Sequence, residues 1–130
     1  MRKRAMTSDA AAKRALVIDD EEDIRELLQA LLETAGFEVD TLSDGIDAVE
    51  LKKNYQVILL DMKMPIFDGA HLTDYWKLTD PAILRRVIML TGFSRLSSDR
   101  DVNTFARLAK PFDYREVLRT VEACFQESQS

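Results

Sequence analysis

A chain of 130 residues, 46% of them apolar, is too apolar to stay disordered and long enough to bury roughly two-thirds of its unfolded surface in one domain. Its net charge of -5, with no basic face beyond Arg2, Lys3 and Arg4, argues against nucleic-acid binding. Cys124 alone cannot make an internal disulfide and no apolar run approaches bilayer-spanning length, so a cytoplasmic protein with no membrane role is expected.

Residues 1–14, MRKRAMTSDAAAKR, have a basic start but lack the apolar middle of a signal peptide, and they read as a mobile tail. Ala15-Leu16-Val17-Ile18 is an apolar run of strand length, ended by acids from Asp19 to Asp23. Ile24, Leu27, Leu28, Leu31 and Leu32 then recur at helical spacing, and Gly36 supplies the stop. Asp20 or Glu21 is a candidate cap, and acids at the positive end of a helix account for Glu21, Glu22 and Asp23. They do not account for two carboxylates directly after a buried strand. Phe37 to Leu42 alternates as an edge strand does. Ser43-Asp44-Gly45 opens a short helix expected to turn Ile46, Val49 and Leu51 inward and to end near Asn54.

Val57 to Leu60 is too short and too branched for a helix and suits a strand buried on both faces, closed by Asp61. Pro65 and Asp68-Gly69 mark the loop that follows. Gly69 to Thr79 carries Leu72, Tyr75 and Trp76 on one side of a helix that Asp80-Pro81 stops. Arg86 to Leu90 is a fourth strand, ended by Thr91-Gly92. Phe93 to Thr104 is polar and weakly periodic, with a short helix expected from Ser97 or Ser98. Ala106 to Ala109 is a fifth strand ending in Lys110-Pro111. Tyr114, Val117, Leu118, Val121, Cys124 and Phe125 trace one face of a final helix. Five strands alternating with five helices select a parallel sheet covered on both faces, over residues 15–127, with 128–130 as a short tail.

The carboxyl ends of parallel strands lie along one edge, which gathers Asp19, Asp20, Asp61, Thr91 and Lys110. Three acids in one pocket raise one another's pKa or hold a divalent cation. Oxygen-only ligands suit Mg²⁺, which keeps waters for phosphate oxygens. With an ammonium and a hydroxyl alongside, the set fits phosphoryl transfer, where positioning and charge neutralisation dominate. Asp61, flanked by the other acids, is the candidate nucleophile. His71 at a helix start reads as a surface residue, Cys124 as core packing, and Tyr75 and Trp76 as packing or partner surface.

Asp19-Asp20, DMKMPIFDG from Asp61, Thr91-Gly92 and Lys110-Pro111-Phe112, in this order after successive strands, resemble the receiver domain of bacterial two-component response regulators, over Ala15 to about Glu127. The resemblance implies a CheY-like, doubly wound, flavodoxin-like sheet of order 2-1-3-4-5. It implies that Asp61 accepts a phosphoryl group from a histidine kinase or a histidine phosphotransfer protein. Asp20, Asp61 and the backbone carbonyl of Lys63 would bind Mg²⁺ directly, with Asp19 acting through water. Thr91 and Lys110 would contact phosphoryl oxygens, and the Lys110-Pro111 bond would be cis. It further implies a downstream effector or fused output domain, allows a homodimer, and limits catalysis to autophosphorylation and slow self-dephosphorylation, so the chain is not expected to be an enzyme.

Two features depart from the family. Arg107 stands where receivers carry an aromatic ring three residues before the lysine, and the stretch from Thr91 to Lys110 is shorter than usual. A remodelled region with a short or irregular fourth helix is expected, against the alternative that Phe105 takes over the ring's role. A pseudo-receiver acting only as an interaction module is the rival reading, and the intact acids, Thr91 and Lys110 speak against it. A phosphatase with an aspartyl intermediate usually carries a second acid where Lys63 stands.

Overall fold

The computed structural model describes residues 13–49, 54–64, 67–92 and 104–129. The apolar runs pair side by side into one sheet: β1 (Arg14–Ile18), β2 (Glu38–Leu42), β3 (Val57–Asp61), β4 (Val87–Gly92) and β5 (Ala106–Lys110). All pairings are parallel and the order is β2-β1-β3-β4-β5, as expected. The order places β1 and β3 inside the sheet, which is why Ala15 to Ile18 and Val57 to Leu60 are apolar at every position instead of alternating. β2, at the edge, is only half covered and keeps its alternation.

The two faces of the sheet carry separate cores. Ala15, Val17, Val57, Leu59, Ile88, Leu90 and Leu108 face α1 (Glu22–Thr34) and α3 (Tyr114–Ser128), meeting Leu28, Leu32, Val117, Val121 and Phe125. Leu16, Ile18, Ile58, Leu60, Val87 and Met89 face α2 (Gly69–Thr79), meeting Leu72 and Trp76. Each fully buried Val, Leu, Ile or Met among them contributes about 1.5–3 kcal/mol of transfer free energy. Cys124 is buried in the first core, where desolvation pushes its thiol up to about 12, so it is inert packing.

Local chemistry fixes the helix ends. Gly36 adopts φ 93 just beyond α1, a conformation that side chains with a Cβ avoid. Asp68 caps α2 through His71 N at 3.1 Å, and Asp113 caps α3 through Arg115 N at 2.8 Å. Lys13 reaches the far end of α1, donating to Ala35 O at 3.1 Å while its ammonium lies 4.9 and 5.1 Å from the ring centres of Phe37 and Phe125.

Several expectations need correction. Glu21 stands at the cap position of α1 but makes no capping hydrogen bond, and Asp20 does not cap either. β1 starts at Arg14, because Arg14 pairs in register with Glu38, so Lys13 and Arg14 belong to the fold. The segment after β2 is a 3₁₀ turn over Gly45–Ala48, and Ile46 is 53% exposed instead of turned inward, since the tighter turn rotates it off the apolar face. Leu51 lies outside the described residues. A second 3₁₀ turn, Pro81–Arg86, precedes β4 and takes Arg86 out of the strand, while Thr91 and Gly92 extend it. Tyr114 opens α3 at 54% exposure, beyond the edge of the core. The helix expected from Ser97 or Ser98 lies outside the described residues. Phe105 packs against the α1/α3 core, and its N–H bonds Val87 O at the start of β4. Val87 lies four residues before Thr91 on β4.

Candidate functional site

At the carboxyl edge, β1 delivers Asp19, β3 delivers Asp61 and β5 delivers Lys110, each at or just past the last strand residue. Asp19 is fully buried and Asp61 is 5% exposed, while Asp20 faces solvent at the mouth. One oxygen from each of Asp19, Asp20 and Asp61 lies within 4.8 Å of the others. The Lys110 ammonium sits among the acids, 2.9 Å from Asp19 Oδ2, 3.4 Å from Asp61 Oδ2 and 3.3 Å from Glu21 Oε1. The Lys110-Pro111 peptide is cis.

The backbone orients the two buried acids. Asp19 Oδ1 accepts from Glu21 N at 2.9 Å, and Asp61 Oδ1 accepts from Lys63 N at 3.1 Å. Each carboxylate thereby turns its Oδ2 toward Lys110. Asp19 Oδ2 pairs ionically with Lys110 but receives no aligned hydrogen bond, which leaves a buried oxygen with coordinating capacity to spare. Gly69 lets the start of α2 close on this edge: a Cβ there would stand 2.5 Å from Asp61 O.

Burial raises the Asp61 pKa to about 7; the Lys63 N–H opposes this, the Asp19 charge adds to it, and Lys110 again opposes it. Desolvation works against the Lys110 ammonium, but Asp19 beside it, then Asp61 and Glu21, hold its pKa above the ordinary lysine value. A pocket with three carboxylates and one lysine is short of positive charge. Oxygen donors, a charge deficit and the spare oxygen of Asp19 all fit a hard divalent cation such as Mg²⁺.

Of the residues singled out from sequence, Asp19, Asp20, Asp61 and Lys110 come together. Lys63 contributes its main chain beside Asp61, with its side chain exposed. Thr91 is buried one residue past Leu90, the register partner of Asp61, and its hydroxyl donates to Gly92 O at a long 3.5 Å. The sequence marks Glu21 only as a helix-start acid; its contact with Lys110 spans 89 positions, and no local pattern announces it. His71 is exposed and paired with Asp68 Oδ1 at 2.7 Å, away from this set. Trp76 is core packing on the α2 face, with Tyr75 partly buried against it.

The description "Response regulator receiver domain" fits residues 15–122. Sporulation initiation phosphotransferase F of Bacillus subtilis is 30% identical over 115 residues, covering 85% of this chain and 91% of that protein. Transcriptional regulatory protein SrrA of Staphylococcus aureus is 35% identical over 127 residues, covering 88% of this chain and 48% of that protein. The chain thus spans about half the length of the transcriptional regulators it matches. Among solved structures, response regulator TrrA of Thermotoga maritima, in complex with Mg²⁺ and BeF, superposes with a TM-score of 0.76 at 31% identity, covering 86% of this chain and 98% of that one. The fold, the gathered acids and lysine, and these likenesses agree: the chain belongs to the receiver-domain family of two-component response regulators.

Proposed function

We propose that this receiver accepts a phosphoryl group on Asp61 and passes the change in charge to a partner. The observation that carries the proposal is Lys110, held 3.4 Å from Asp61 and 2.9 Å from Asp19, with Asp20 at the mouth. Asp61 Oδ2 attacks the phosphorus of a phosphohistidine, or of a small acyl phosphate; the new P–O bond forms as the donor's P–N or P–O bond breaks. The imidazole, carrying a proton on its other ring nitrogen, leaves neutral, and from an acyl phosphate the acyl group leaves as a carboxylate. Lys110 then pairs with a phosphoryl oxygen, and the Thr91 hydroxyl turns from Gly92 O to donate to another. Asp20, Asp61 and the Lys63 carbonyl would hold Mg²⁺, with Asp19 acting through water, and the ion supplies charge neutralisation for the transferring group.

The donor is a histidine kinase or a histidine phosphotransfer protein, and the receiver of the signal is a protein effector or an output domain in the same polypeptide. Similarity to a sporulation phosphotransferase and to transcriptional regulators supports both ends of this route. Self-dephosphorylation is slow, so the domain is a switch and not a turnover enzyme. The cytoplasm is its place, in keeping with the lack of any described helix long and apolar enough to cross a membrane. Arg107, partly buried on β5 in register with Met89, replaces the usual aromatic, so the region between β4 and β5 reads out phosphorylation without a ring switch.

Incubation of the intact protein with acetyl phosphate and Mg²⁺ tests this. One phosphoryl group should be gained, at Asp61, and none in Asp61→Ala or in excess chelator. An unchanged mass in the wild-type protein overturns the proposal in favour of a binding-only module.

A further inference from the structure

The edge of the sheet at β2 makes a contact that the phosphoacceptor reading does not use. Asp44 and Gly45 lie just beyond β2, and Phe67 lies between Asp61 and α2. Gly45 N donates to Phe67 O at 3.1 Å, and Phe67 N donates to Asp44 Oδ2 at a long 3.4 Å. One dipeptide therefore holds both main-chain polar groups of Phe67. The approach is close enough to require glycine, since a Cβ on Gly45 would stand 2.3 Å from Phe67 O. Asp44 is only 9% exposed, and its Oδ1 accepts from Ile46 N at 2.9 Å.

Met62 and Gly69, on either side of Lys63 and Phe67 in the chain, are fixed as well. Met62 N donates to Leu90 O at 2.9 Å, and Gly69 N donates to Met62 O at 3.2 Å. Lys63 lies between these two fixed points, its N–H on Asp61 Oδ1 and its carbonyl among the proposed Mg²⁺ ligands. A carboxylate suits the Asp44 position because one oxygen accepts from the turn and the other from Phe67.

We infer that Asp44 is a positioning residue for the magnesium site, fixing Phe67 ahead of α2 and, through the bond from Gly69 N to Met62 O, the Lys63 main chain against Asp61. The magnesium part of this inference rests on the phosphoacceptor reading; the main-chain part does not.

Asp44→Asn separates the two jobs of the side chain. Its oxygen still accepts from Ile46 N, but its amide turns a donor toward the N–H of Phe67. Asp44→Ser, which caps but is too short to reach Phe67, is the second variant. In metal-free protein, hydrogen exchange at Lys63 and Phe67 should accelerate about tenfold while α3 is unchanged, and the Mg²⁺ dissociation constant from calorimetry should rise about tenfold. Leu32→Ala, which destabilises the opposite face of the sheet, should keep the wild-type Mg²⁺ constant.

Exchange and affinity within about twofold of wild type in both Asp44 variants overturn the inference, as does an equal loss of affinity in Leu32→Ala. Wild-type protein that binds no Mg²⁺ would instead remove the reading of the site, and the exchange rates at Lys63 and Phe67 would still decide the role of Asp44.

Discussion

Asp61 is an acid held in a place that does not favour its charge. Its pKa stands near 7 in the folded protein against 3.8 as an ordinary aspartate, with burial as the main cause. The folded state therefore binds the proton more tightly than the unfolded state, and Asp61 favours folding below about pH 4. That contribution is lost as pH rises through 7. The difference in unfolding free energy between wild type and Asp61→Asn isolates it: metal-free wild type should lose about 1–2 kcal/mol relative to the variant between pH 4 and pH 8, after allowance for solvent screening. A flat difference in urea titrations across that range would contradict the assignment. Lys110→Met should cost about 2 kcal/mol at pH 8, where it leaves Asp19 and Asp61 charged side by side, and less at pH 5, where Asp61 already holds a proton.

The elements hold these residues by their ends, so mutations at the ends should be felt more than mutations along the exposed faces. Gly69→Ala forces a Cβ into the backbone of Asp61 and should cost about 3 kcal/mol or prevent folding, measured by chemical denaturation. Asp113→Ala removes a cap whose loss exposes only the first turn of α3, and should cost about 1 kcal/mol. The contrast arises because α2 begins against the strand that carries the site, whereas the α3 cap faces solvent. Alternation and helical spacing predicted both helices. They misplaced Ile46 and Tyr114, because a stripe of apolar residues does not mark the turn at which it leaves the core.

Across the whole molecule, two cores pack on opposite faces of the sheet, while at neutral pH the site opposes folding, mainly through burial of the Asp61 charge and in addition through the Asp19 charge beside it. Mg²⁺ should relieve that conflict. At about one hundred times its dissociation constant it should stabilise wild type by about 2.7 kcal/mol, and it should do markedly less for Asp61→Ala. Thermal melts with and without the ion, at constant ionic strength, check this; equal shifts in both proteins would place the ion elsewhere.

The order of apolar runs, helical stripes and turn residues was enough to determine a parallel sheet covered on both faces, because strand burial and helix spacing are local consequences of side-chain chemistry; its doubly wound strand order came from the resemblance to receivers. It was enough, too, to bring Asp19, Asp61 and Lys110 to one edge, since parallel strands end on the same side. Only the tertiary structure decided how each acid is turned, which oxygen of Asp19 is left to spare, that Glu21 reaches Lys110, and that Asp44 and Gly45 grip Phe67. Those contacts join residues distant in the chain through distances of about 3 Å, and such distances are set by packing, to which sequence periodicity is blind.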